Sequence, residues 1–203
     1  MSIDNQLARM TLAKSDKSSI AGAVKSGGIG IMPTDTIYGL VGQAQDKTVV
    51  ERIYRIKGRS QQKPLIILIS QKEQVFDFDV DFTQEALDSL DLYWPGPNTL
   101  ILPCESDDWH YLHRGRSSLA FRLPRDEWLR AIIDIAGPLV APSANPQSKQ
   151  PAGSITQAYK YFGAEVDFYI DGGDISSEPS QLFCYENGSF EAVQRNTVSA
   201  DRD

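Results

Sequence analysis

The chain is poor in the residues that make staples and metal centres. Among 203 residues there are two cysteines, Cys104 and Cys184, and two histidines. The cysteines lie far apart with no C-x-x-C between them. That excludes a disulfide framework and points to a reduced, cytoplasmic protein. His110 and His113 fall in "DDWHYLH", and two imidazoles fall short of a closed zinc site, so this stretch reads as a surface turn. No apolar run approaches membrane-spanning length, and "MSIDNQLARM" lacks a signal-peptide core, so no membrane association is expected. Excess positive charge is also missing. The formal net charge is −7, which argues against a general nucleic-acid coat but leaves room for a local basic pocket.

What is present suits one soluble α/β domain. Hydrophobic residues make up 41% and charged residues 23%, and a chain of this length can bury a sizeable core without staples. Helices are expected over 17–25; in "DKTVVERIYRIKG", capped by Asp46 and stopped by Gly58; over 83–92; in "RDEWLRAIIDIAG"; and from Ser154 to about Phe162. Ser70 and Glu73 suggest a further capping box. Strands are expected in "GIGIMP", "KPLIILIS", "NTLILP", "SSLAFRLP", "PLVAPSAN" and "VDFYIDGG". A final hairpin is expected on Asn187-Gly188. The alternation predicts a mostly parallel sheet with helical cover, plus an antiparallel component from the hairpin. With no repeat or linker, residues 1–203 read as a single domain with its core over about 17–196.

Three stretches carry chemistry: two follow an expected strand, where ligands sit in open α/β sheets, and one leaves the end of an expected helix just before a buried strand. "PTDTIYGL" places Thr34, Asp35 and Thr36 after an apolar run. They form either a capped turn or the floor of a pocket for a small polar ligand, with Tyr38-Gly39 turning the chain away. "KGRSQQKPL" gathers Lys57, Arg59 and Lys63. These cations either form a solvated face or converge on a polyphosphate. "APSAN" sets Ser143 and Asn145 after Pro142, as a proline-rich turn or as uncharged donors and acceptors for a ligand. "DGGD" at 171–174 reads as an acidic turn, too short for a calcium loop.

"PTDTIYGL", "KGRSQQKPLIIL", "WPGPNTLIL", "LAFRLP" and "APSAN", in that order, resemble the threonylcarbamoyl-AMP synthase family with the YrdC-like fold, over about Ser26 to Arg195. The resemblance implies a twisted mixed parallel and antiparallel sheet with helices on its faces, around a concave, positively charged cavity. It implies that L-threonine, bicarbonate and ATP become threonylcarbamoyladenylate and pyrophosphate, for modification of the adenosine next to the anticodon of certain tRNAs. Lys57 and Arg59 would be catalytic. With Lys63 they would neutralise the phosphates, bridged by Mg2+, and no metal ligand from protein side chains is expected. Thr34, Thr36, Arg122, Ser143 and Ser180 would contact the threonine or its carbamate, Arg122 through the carboxylate. Asn145, Ser118, Ser154 and Arg195 would lie on the nucleotide side. Proteins that consume the adenylate are expected partners, and direct contact with tRNA is compatible but not required. An adenylate-hydrolysing relative and a non-catalytic RNA-binding module are the rival readings. The chain departs from the family pattern at Leu68, where many members have histidine; at Asn196, in the usual glycine region; and after Asn145, where "PQSKQPA" replaces the usual Ser-Gly.

Overall fold

A computed structural model describes residues 3–186 and 188–194. In chain order the elements are α1 (Ile3–Met10), α2 (Lys17–Lys25), β1 (Gly30–Pro33), β2 (Tyr38–Gln43), α3 (Lys47–Lys57), β3 (Ile66–Leu68), α4 (Gln84–Ser89), β4 (Asn98–Pro103), α5 (His110–His113), β5 (Ser118–Arg122), α6 (Glu127–Ala136), β6 (Leu139–Val140), α7 (Ile155–Phe162), β7 (Phe168–Tyr169), β8 (Gln181–Glu186) and β9 (Ser189–Val193). The nine strands form one sheet in the order β7-β1-β2-β6-β3-β5-β4-β8-β9.

The sheet is mixed, but it is not mostly parallel. Only β1–β7, β3–β5 and β4–β8 pair in parallel; the other five pairings are antiparallel. The excess traces to a strand the sequence reading missed. Tyr38-Gly39 does not turn the chain away; it opens β2, which pairs antiparallel to β1 through a tight hairpin. Both strands are buried on both faces. Ile31 and Leu40 enter the larger core with α3 and α7, while Met32 and Val41 enter a smaller one with α2 and α6. Burial on both faces removes the alternation that marks a half-exposed hairpin.

Local signals fix several helix ends. Asp46 accepts hydrogen bonds from the amides of Thr48 and Val49, and Gly58 closes α3 in the left-handed region at φ 58°. Asp126 caps α6 in the same way. The expected Ser70–Glu73 box does not form. Gln71 and Gln74 make the reciprocal cap instead, opening a 3-10 turn over Lys72–Phe78. The Gln74 side chain also accepts from the Ser70 amide and hydroxyl. The "DDWHYLH" stretch is helical, and His113 is buried, its Nδ1 accepting from the Gly115 amide. Leu68 is fully buried in the smaller core, so this departure from the family pattern fills space under α6. Asn187 and Arg195 lie outside the described residues. No described helix is long and apolar enough to cross a membrane.

Candidate active site

The β1–β2 turn is a buried turn built from its own hydroxyls. The Thr34 hydroxyl donates to the Ile37 carbonyl at 2.6 Å, and the Thr34 amide bonds the same oxygen at 3.1 Å. Thr34 and Thr36 are both buried. Small side chains are required here because the chain after β6 lies alongside. The Leu40 amide bonds the Pro142 carbonyl and the Ala144 amide bonds the Tyr38 carbonyl, both at 2.8 Å. Gly39 faces Ser143 across this pairing, and a Cβ on Gly39 would stand 3.0 Å from the Thr34 methyl.

Between these strands and the end of β5 lies a cavity of about 130 Å3. Its walls include Thr34, Thr36, Arg59, Arg122, Ser143 and Ser180. Sites for drug-sized ligands run from about 300 Å3 upward, so the enclosed part suits a molecule of amino-acid size.

Arg122, the charged member of an otherwise apolar strand, reaches the turn. It donates to Thr36 Oγ1 at 3.1 Å and Thr34 Oγ1 at 3.4 Å. It also sits 3.0 Å from the Asp35 carboxylate, with the two side chains 5% and 7% exposed. Burial raises the Asp35 pKa, opposed by the charge of Arg122. Sequence reasoning placed Asp35 in the turn but gave it no partner; a buried arginine needs a counter-charge, and the nearest carboxylate in the turn was the available signal.

The second guanidinium is held from behind. Arg59 Nε donates to the Lys63 carbonyl and an Nη to the Pro64 carbonyl, each at 2.9 Å. Tyr54 also donates to the Lys63 carbonyl at 2.8 Å, and Arg114 lies over the Tyr54 ring at 4.0 Å. Burial lowers the Arg59 pKa, yet an arginine stays charged at any ordinary pH.

Lys57 stands behind the cavity wall. It is 3% exposed, and its Nζ donates to the carbonyls of Ser143 and Asn145 at 2.6 Å and to Asn145 Oδ1 at 3.0 Å. Ser143 Oγ adds a longer contact at 3.4 Å, and the three short acceptors match the three N–H bonds of an ammonium. Burial, then the charge of Arg59, pushes its pKa down to about 7. The loop returns the contact: the Gln147 amide bonds the Lys57 carbonyl at 2.9 Å, and Gln147 Oε1 accepts from the Ser60 amide at 2.7 Å. The K-x-R and S-x-N stretches are thus locked together by main chain and side chain.

The structure therefore brings Thr34, Thr36, Arg59, Arg122, Ser143 and Ser180 to the lining of one cavity, and puts Lys57 and Asn145 behind Ser143. Ser180 is buried, its hydroxyl 2.8 Å from that of Thr99. Lys63 is exposed and contributes its carbonyl. Ser118 sits at the opposite end of β5 from Arg122, beside Pro103. Ser154 caps α7, accepting from the Gln157 amide. In the loop after Asn145, Ser148 adopts φ 72°, a left-handed conformation that suits glycine. Ser148→Gly is expected to raise stability by about 0.5 kcal/mol, or about 1–2 °C in Tm by thermal melting. An unchanged or lower Tm would show the serine carries no strain.

Residues 22–195 match the model of the Sua5/YciO/YrdC family, described as "Telomere recombination". The chain belongs to this family. Among its members, the threonylcarbamoyl-AMP synthase of Marinobacter nauticus is 36% identical over 152 residues, 73% of this chain and 80% of that protein. The synthase of Pyrococcus abyssi is 34% identical over 155 residues, 76% of this chain but 46% of its own length. This chain thus spans about half of the archaeal relative. The structure of P. abyssi Sua5 complexed with L-threonine superposes with a TM-score of 0.78 at 30% identity, over 87% of this chain and 54% of that one. Escherichia coli YciO, 19% identical, shares the Sua5/YciO/YrdC fold over 94% of this chain and all of its own, with a TM-score of 0.76.

Proposed function

We propose that this family member is a threonylcarbamoyl-AMP synthase, a nucleotidyltransferase acting on L-threonine, bicarbonate and ATP for tRNA modification. The threonine amine combines with bicarbonate, releasing water, to give a carbamate. A carbamate oxygen attacks the α-phosphorus, and pyrophosphate leaves. Both reactants are anionic, so the site must offset their repulsion and hold them in line. The observation that carries the reading is the meeting of two guanidinium groups and the small hydroxyls of Thr36, Ser143 and Ser180 in a cavity of amino-acid size.

In this reading Arg122 receives the threonine carboxylate in competition with Asp35, while Thr34, Thr36, Ser143 and Ser180 supply hydrogen bonds to the amino acid and carbamate. Arg59 faces the phosphates, with the exposed Lys63 as a second cation for them. Lys57 and Asn145 set the wall against which the nucleotide lies. Ser118, Ser154 and Arg195 keep the nucleotide-side roles that the family resemblance implies. Mg2+ enters with ATP on its phosphate oxygens. Proteins that consume the adenylate are the natural partners.

Pyrophosphate release from ATP tests the reading. Strict dependence on L-threonine and bicarbonate is expected, with L-serine the poorer substrate because it lacks the methyl group. Turnover indifferent to the amino acid would remove the assignment.

A further inference from the structure

Between β7 and β8 the chain runs for eleven residues, Ile170 to Ser180, with no regular structure; Ile170 is buried and bonds β1, and the strap proper is Asp171 to Ser180. Its far end, Pro179-Ser180, forms part of the cavity wall. Most of the segment is exposed, with the Ile175 side chain packed against the larger core. Its near end is tied by one buried side chain. The Tyr38 hydroxyl accepts from the Gly172 amide and donates to the Gly173 carbonyl, both at 2.8 Å, across more than 130 residues of sequence. Tyr38 is itself fully buried and sits two residues after Thr36.

The two glycines of "DGGD" make this seat possible. A Cβ on Gly172 would come 2.7 Å from Pro33 of β1, and Gly173 adopts φ 75°. Further along, the Ile175 amide bonds the Gly153 carbonyl at 2.8 Å, and the Gln181 amide bonds the Pro97 carbonyl at 3.0 Å.

We propose that Tyr38 is a positioning residue for the cavity: its hydroxyl fixes the strap 171–180, and through it sets Pro179-Ser180 against the turn that carries Thr34 and Thr36. This rests on the functional reading above only for the name of the ligand. A tyrosine is used because one hydroxyl can accept an amide and donate to a carbonyl at once. The acidic turn of the sequence is the seat of that tether.

The test compares Tyr38→Phe with Tyr169→Phe. Tyr169 is equally buried and donates to the Gly163 carbonyl at 2.7 Å, away from the strap. Both variants lose a buried hydroxyl. Hydrogen exchange across 172–175 is expected to quicken about tenfold in Tyr38→Phe and to stay at the wild-type rate in Tyr169→Phe. In pyrophosphate release, Tyr38→Phe is expected to lower kcat/KM for threonine about tenfold, mostly through KM, with Tyr169→Phe within about threefold of wild type. Wild-type exchange in Tyr38→Phe, or equal kinetics in the two variants, overturns the proposal. Wild-type turnover without threonine contradicts the functional reading instead, and the exchange difference still decides the tether.

Discussion

Arg59→Ala is expected to lower threonine-dependent pyrophosphate release by about 10²–10³-fold, the usual scale for losing a preorganised donor to developing charge. The fold should survive. Arg59 lies at the start of a loop, and its side chain bonds the Lys63 and Pro64 carbonyls rather than the core. Those two bonds orient the planar group so that other N–H bonds can meet a phosphate edge. Arg59→Lys should therefore rescue poorly, because an ammonium cannot bridge both carbonyls and still present a flat pair of donors. Steady-state rates at saturating ATP check this. Near-wild-type activity in Arg59→Ala would show that this cation does not touch the reacting groups.

Lys57→Met is expected to abolish most activity, by about a hundredfold or more, while the protein still folds. Two effects on stability oppose each other. Removing the ammonium leaves the Ser143 and Asn145 carbonyls without their donor, at about 1–3 kcal/mol for each buried acceptor. It also relieves a buried charge, whose desolvation runs to several kcal/mol. These nearly offset, so Tm should stay within a few degrees. The loop keeps its main-chain bonds to β2 and to the residue 57 carbonyl, but the Ser143 and Asn145 oxygens lose the donor that holds them together, so their side chains should shift. The same buried charge gives a pH signature. The folded Lys57 pKa is about 7 against 10.5 unfolded, so the unfolded chain binds more protons between those values. Wild-type stability should therefore rise with pH across that window, and the slope should be shallower in Lys57→Met. Denaturant melts at several pH values measure it. Full activity in Lys57→Met would contradict the role given to the clamp.

Helix boundaries were legible in the sequence because caps and stop signals act locally: Asp46 and Gly58 sit where the pattern put them, and the structure adds Asp126 as the cap of α6. The glutamine cap at Gln71–Gln74 was missed because Ser70 and Glu73 offered a more familiar pairing. The β2 strand was missed because burial on both faces hid its period. That omission also turned an antiparallel hairpin into an expected parallel sheet. In the site, the residue types were legible and their layering was not. Lys57 and Arg59 lie two residues apart, yet one faces the loop behind the wall and the other the cavity. The difference comes from α3 ending at Gly58, which turns the chain between them. Asp35, Tyr38 and Gln147 act on partners dozens of residues away, which local sequence does not announce.

In the proposed function the cavity receives an amino acid through Arg122. A crystal structure of the protein grown with L-threonine should show a threonine whose carboxylate meets the Arg122 guanidinium, with its hydroxyl and amine among Thr36, Ser143 and Ser180. Threonine bound elsewhere, or a cavity still holding only solvent at saturating threonine with Arg122 unmoved on Asp35, would contradict it.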